Sequence, residues 1–163
     1  MTALNSTPKA VTDGDIILAT VDIAAGPDRI YQALITKEME NWWGEDGIYH
    51  IKDWIADLHP GGKWTLNVVR PDGTVLPASG EFLVLDPPNK FVITRRYDWD
   101  YPGLGRHATK VAYILDVIEG GTRLTVRHED FNGCSQAAYE HAPNWERLLA
   151  WLANYFLLKK ALS

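Results

Sequence analysis

The chain has 163 residues, 46% of them hydrophobic and 23% charged, with 16 Lys and Arg against 21 Asp and Glu for a net charge of −5. Those proportions belong to an ordinary globular domain and exclude a disordered chain, and the only adjacent basic pairs, Arg95-Arg96 and Lys159-Lys160, exclude a nucleic-acid binder that tracks phosphates. Cys134 is the single cysteine, which excludes an internal disulfide and a cysteine-built zinc or iron–sulfur site, and no stretch reaches the ~18 apolar residues of a membrane span. A cytoplasmic location, away from membranes, is the expectation.

Residues 1–14 are small and polar and predict a disordered leader, with one ordered domain expected over 15–160. The run IILATVDIA (16–24) is rich in β-branched residues and predicts a first strand, stopped by Gly26-Pro27. Pro27 suits the first turn of a helix and Asp28 its dipole. Ile30, Tyr31, Leu34 and Ile35 then recur at helical spacing, so PDRIYQALI is expected to be a short helix, with TKEMENWW a second. After Gly44 the rhythm changes to strand-length segments at 51–58, 62–69, 78–86, 90–99, 109–119 and 122–130, divided by HPGG, RPDG, DPPN and EGG. Alternation puts Trp64, Leu66 and Val68 on one face, likewise Val111, Tyr113, Leu115 and Val117, and Leu124, Val126 and His128. The inward face needs a cover, and Trp145, Leu148, Leu149, Leu152 and Phe156 form the stripe of a core-facing helix that Pro143 starts or kinks. Trp151, Tyr155 and Leu158 make a second apolar line, read as packing on neighbouring loops or as a contact in a possible homodimer. Strands followed by a helix, with no βαβ alternation, give an α+β domain.

The order of elements resembles the helix-grip fold of the START, polyketide-cyclase-like or Bet v 1-like superfamily. The segment GPDRIYQALITKEMENWW, with Gly26-Pro27, Ala33-Leu34 and Trp42-Trp43, is similar to the opening signature of the activator of Hsp90 ATPase homologue 1-like family. ADLHPGGKWTL, GEFLVLDPPNKFVITRRY and GGTRLTVRHEDF follow in the family's order and spacing. The resemblance implies a curved antiparallel sheet of about seven strands, two short helices and a long C-terminal helix enclosing a cavity. It further implies binding of a small hydrophobic or aromatic molecule there, without a cofactor. The eukaryotic co-chaperone of that family has in addition an N-terminal Hsp90-binding domain with no counterpart in these residues.

A helix laid over a curved sheet leaves a concavity of the kind that holds small molecules. The expected lining is Trp64, Leu66, Tyr113, Val126, His128, Trp145, Leu149 and Leu152; the bland reading of the same residues is a filled core. His128, inward by parity, is either a base or ligand anchor, or a core histidine bonded to a backbone carbonyl. Arg95 and Tyr97 share a face with Phe91 and Ile93, so Arg95 either meets an anionic ligand group or pairs with a carboxylate such as Glu81. The loop DWDYPGLGRHA (98–108) is long for a hairpin; Trp99 and Tyr101 are expected either to gate the cavity mouth or to cover the sheet edge. His50, His59, His107 and His141 lack metal-ligand spacing, and Cys134, Asp53, Asp57 and Glu81 sit in no catalytic pattern, so neither a metal nor a catalytic residue is assigned. Two rival functions stay open: a cyclase- or hydrolase-like enzyme using the same cavity, and a protein-interaction module of the stress-response or co-chaperone kind.

Overall fold

The computed structural model describes residues 4–162. Its strands are β1 (Lys9–Asp13), β2 (Ile16–Ile23), β3 (Gly44–Glu45), β4 (Tyr49–Ala56), β5 (Lys63–Val69), β6 (Val75–Asp86), β7 (Lys90–Tyr97), β8 (Thr109–Ile118) and β9 (Gly121–Glu129). Helix α1 (Pro27–Ile35) and a 3₁₀ turn (Lys37–Asn41) separate β2 from β3, and α2 (Ser135–Leu162) closes the chain. The strands form one antiparallel sheet in the order β1-β2-β9-β8-β7-β6-β5-β4-β3. The fold is α+β and helix-grip, as expected, with nine described strands rather than about seven.

The two additional strands carry little apolar signal. β3 is two residues long. β1 falls inside the segment expected to be a disordered leader: its five residues pair with β2 from Lys9↔Thr20 to Asp13↔Ile16. The Ala10 N–H also donates to Glu146 Oε2 of α2 at 2.9 Å. Backbone pairing and one cap hold this strand, with only Ala10 shielded from solvent, so hydrophobic alternation could not reveal it. Residues 1–3 of the expected leader lie outside the described residues.

Pro27 and Asp28 open α1, which buries Ile30, Tyr31, Ala33, Leu34 and Ile35. Thr36 links it to the 3₁₀ turn, its hydroxyl donating to the Gln32 carbonyl at 2.7 Å and accepting from the Glu38 N–H at 3.2 Å. Two register shifts, at Lys52/Ile55 in β4 and at Phe82/Val84 in β6, interrupt the ladder. The first contains Asp53 at φ 60 and turns Trp54 inward, where it stacks on Trp64 at 5.6 Å and donates to the Ile35 carbonyl at 3.2 Å. Ile55 is thereby left 69% exposed.

Helix α2 begins ten residues before the apolar stripe that announced it. Pro143 therefore lies inside the helix instead of at its start, and the Tyr139 carbonyl has no N–H four residues on to accept. The buried face runs from Ala137 and Ala138 through His141, Trp145, Leu148, Leu149 and Leu152 to Phe156. It packs chiefly on β2 and β1. Two residues of the second line pack on the chain itself: Trp151 Nε1 donates to Glu45 at 2.8 Å and its ring meets Tyr49 edge-on, while Tyr155 donates to Glu38 at 2.7 Å; Leu158 stays 56% exposed. Between β2 and β9, the buried Asp22 takes two hydrogen bonds from Arg123, at 2.8 and 3.2 Å, which hold its carboxyl below the usual range.

Gly80 faces Trp64 across β5 and β6, and the Trp64 indole lies over it to reach the Thr94 carbonyl at 3.2 Å. A Cβ at position 80 would fall on that carbonyl oxygen and within 2.6 Å of Trp64 Nε1. Gly80→Ala should therefore lower the unfolding free energy by about 1–3 kcal/mol in urea titration, through overpacking. An unchanged midpoint would show that both the β7 backbone at Thr94 and the indole yield without cost.

Candidate functional site

Because α2 packs chiefly over β1 and β2, the concave face of β4 to β8 is covered by α1, the 3₁₀ turn, its own large side chains and a few side chains from one edge of α2. Two spaces remain there. The inner one, about 20 Å³, is lined by Trp64, Phe82, Phe91, Ile93 and Tyr113 of the sheet with Leu34 and Ile35 of α1. That is little more than room for one water. The outer one, about 250 Å³, is lined by Tyr49, Ile51, Leu66 and Val68, by Arg95 and Tyr97 of β7, by Trp99 and Tyr101, and by Glu140, His141 and Asn144 of α2. Trp43, Leu66 and Arg95 line both spaces. A groove of about 480 Å³ on the other side of α1, against Leu85, Pro87 and Pro88, opens outward.

Among the described residues, Arg95 is the cation set between these rings, whereas Arg70 is exposed at the rim. Its guanidinium carbon lies 5.6 Å from the centroids of both Trp43 and Tyr97, a cation–π arrangement. No carboxylate among the described residues pairs with it; Glu81 meets Lys63 instead, at 3.7 Å. Its neighbour Arg96 points out of the sheet and pairs with Asp98 at 2.9 Å. Tyr101 stacks on Tyr97 with centroids 4.4 Å apart, and Trp99 sits 5.3 Å from Tyr101.

Hydrogen bonds fix the histidines on the α2 side. The Trp145 indole N–H can only donate, and it donates to His128 Nδ1 at 3.0 Å. His128 must therefore carry its proton on Nε2, which donates to the Thr109 hydroxyl at 2.7 Å, and that hydroxyl donates to the Arg95 carbonyl at 3.3 Å. His141 Nδ1 donates to the Ala137 carbonyl at 2.7 Å, so its Nε2 accepts from the Tyr97 hydroxyl at 2.8 Å. Burial, with the Arg95 charge, pushes His128 well below the usual 6.5 and brings His141 to about 4. Burial raises Tyr101 and Tyr113 to about 12 and raises Tyr97 as well.

The ten residues expected around a cavity fall into two groups. Trp64, Leu66, Arg95, Tyr97 and Tyr113 border the two spaces. Val126, His128, Trp145, Leu149 and Leu152 border neither and are at most 2% exposed, because α2 packs hard on that side of the sheet. Trp99 and Tyr101 line the outer space, and the loop that carries them is pinned by buried Leu104. Tyr49, His141 and Asn144 escaped the sequence reading. His141 and Asn144 precede the visible helical stripe and flank Pro143, the residue expected to start or kink the helix, and Tyr49 precedes the expected strand. Among the described residues no three His, Cys, Asp or Glu side chains gather as metal ligands, and no helix is long and apolar enough to cross a membrane.

The family described as activator of Hsp90 ATPase homologue 1-like protein matches residues 24–156. No curated protein matches the chain. Among solved structures, a Mycobacterium smegmatis protein superposes with a TM-score of 0.75 at 21% identity, covering 95% of this chain and 98% of its own. A Rhodobacter sphaeroides protein gives 0.75 at 18% identity over 96% and 99%. CalU16 from Micromonospora echinospora gives 0.63 at 22% identity over 95% and 87%.

The neutral histidines make stability depend on pH. Below 6.5 the unfolded chain binds protons that folded His128 and His141 refuse, so stability is full above 6.5 and falls as pH drops, for His141 down to about 4. Each contributes a slope of up to ~1.4 kcal/mol per pH unit. Urea titrations between pH 7.5 and 4.5 should show His141→Gln losing about one histidine's share of the wild-type slope. Equal slopes would mean that folded His141 titrates as in water.

Proposed function

The chain belongs to the activator of Hsp90 ATPase homologue 1-like family, and from that premise we propose that it binds a small hydrophobic or aromatic molecule in the outer cavity without transforming it. The fold of this family commonly holds hydrophobic ligands. The observation that carries the reading is a space of about 250 Å³ inside the grip, walled by aromatic and aliphatic side chains with a few convergent polar groups. An apolar void of ~150 Å³ admits one benzene ring, so this volume suits a molecule of one or two rings.

Binding without chemistry is favoured by the titration of the lining. His141 sits near 4 and Tyr101 near 12, so neither exchanges a proton readily at neutral pH, where a general acid or base works best. His128, with both ring nitrogens engaged and 1% exposure, is out of a ligand's reach. The interaction-module reading asks for a filled core and a free apolar patch around Trp151, Tyr155 and Leu158. Trp151 and Tyr155 are instead half-buried and spend their polar atoms on Glu45 and Glu38, which leaves Leu158 as the exposed member of that line.

Native mass spectrometry of the freshly purified protein, followed by a thermal-shift screen of fatty acids, aromatic polyketides and flavonoids, tests the proposal. A binder at about 100 times its dissociation constant adds ~2.7 kcal/mol of stability. Val68→Trp, which fills the cavity from β5, should abolish that shift while leaving the fold intact by circular dichroism. No co-purified molecule and no shift across the panel would return the chain to the interaction-module reading.

Trp99 and Tyr101 gate the mouth in this proposal. The double replacement by Ala should change the association rate of a bound ligand several-fold in stopped-flow fluorescence, and an unchanged rate would make the loop a static wall.

A further inference from the structure

We propose that the molecule bound in the outer cavity is an aromatic carboxylate, held by its charged group on Arg95 with its ring against Trp43 and the Tyr97–Tyr101 stack. This rests on reading the cavity as a ligand site, and it names the chemistry that site selects.

The first argument is charge. Arg95 is cationic at any physiological pH, and among the described residues neither a carboxylate nor a hydrogen-bond acceptor is paired with its guanidinium. The groups around it do not offset that charge. His128 and His141 are neutral, and Tyr49, Tyr97, Tyr101 and Tyr113 are phenols. Glu140 is exposed at the rim, bonded to Gln136 at 3.0 Å, and is balanced by the exposed Arg70 on the opposite wall. A small molecule entering this space meets net positive charge.

The second argument is the supply of donors. Tyr49 donates to Asn144 Oδ1 at 3.2 Å and accepts from Trp43 at 3.3 Å, and Tyr97 donates to His141. The Tyr49 and Tyr97 hydroxyl protons are thus spent within the lining. The Asn144 amide N–H₂ and the Arg95 guanidinium donate to no described residue. A ligand that satisfies the lining must bring acceptors, and one carboxylate brings about four lone-pair sites.

The third argument is geometry. The Arg95 guanidinium carbon lies over the rings of both Trp43 and Tyr97, 5.6 Å from each centroid. Its N–H groups, which form the two-pronged bond to a carboxylate, donate to no described residue, and the group borders the outer cavity. Two ring contacts restrict the guanidinium before a ligand arrives, which lowers the entropy lost on binding. The same rings that orient Arg95 offer their remaining surface to a planar ligand.

Isothermal titration with 2-naphthoate and with its uncharged isostere 2-naphthamide tests this directly on the wild-type protein. The carboxylate should bind about tenfold or more tighter than the amide, the range of a charge-assisted hydrogen bond. Arg95→Gln should remove that preference, the two probes then binding within about threefold of each other, with folding checked by circular dichroism. Arg95→Lys, which keeps the charge and loses the fork, should retain part of it. Equal binding of the two probes to wild type overturns the carboxylate assignment and leaves the cavity reading standing. If neither probe binds, and the thermal-shift panel is also silent, the cavity reading falls and the assignment with it.

Discussion

A single indole N–H organises this protein. Trp145 is buried at the centre of α2, and a buried indole must find an acceptor or forfeit a hydrogen bond at a cost of about 1–3 kcal/mol. Its acceptor is His128 Nδ1, which fixes the tautomer, which in turn sends Nε2–H to Thr109 and the Thr109 hydroxyl to the Arg95 carbonyl. The relay runs from the helix through β9 and β8 to β7. Protonating His128 would break its first link, because an imidazolium offers no acceptor. The helix, three strands and the backbone at Arg95 are thereby held in one register by neutral groups that burial keeps neutral.

That anchorage explains where the space lies. Around the relay, α2 closes fully on the sheet, so Ile17, Val126, Leu149 and Leu152 have no exposure at all. The sheet, bent through two register shifts, does not stay that close to the helix across its whole width. Toward β5 and β7 the sheet curves away, and the gap fills only partly with aromatic rings from both sides. Trp54 and Trp64 stack at its floor, Phe91 and Tyr113 stack at 4.3 Å beside them, and the remainder is the cavity. Tight packing in one half and open space in the other are two consequences of the same helix position.

The sequence made the fold legible where period and turn chemistry agreed. Pro27 to Ile35 was readable residue by residue because a proline, an acid and an apolar stripe all pointed to one helix. The six segments after Gly44 were readable because each is flanked by turn residues. β1 was hidden, since its stabilisation is backbone pairing and the Glu146 cap, neither of which leaves an apolar pattern. The early turns of α2 were hidden because Pro143 usually ends a helix or begins one. Residue parity could put Arg95 and His128 on the inner face. It could not tell that one would border a cavity and the other be sealed, since that depends on how far α2 stands from β7 and β9. Nor could it foresee Trp54 inside, because the shift at Asp53 reverses the alternation of β4.

Arg95 is the point at which local rules and the global fold disagree. Several polar groups beside it are paired within the fold: Trp145 with His128, His141 with Ala137 and Tyr97, Trp43 with Tyr49. Removing a guanidinium from bulk water without an acidic partner costs free energy, and two rings recover only part of it, roughly 0.5–2 kcal/mol each. An apolar residue at 95 would pack against Ile93, Leu66 and Trp43 without that cost. A chain that keeps the charge in a cavity of aromatic walls, while pairing Trp145, His141 and Trp43 within the fold, departs there from an apolar core. Such departures are where function is expected, because stability given up inside a ligand-sized space is recovered when a complementary anion enters it.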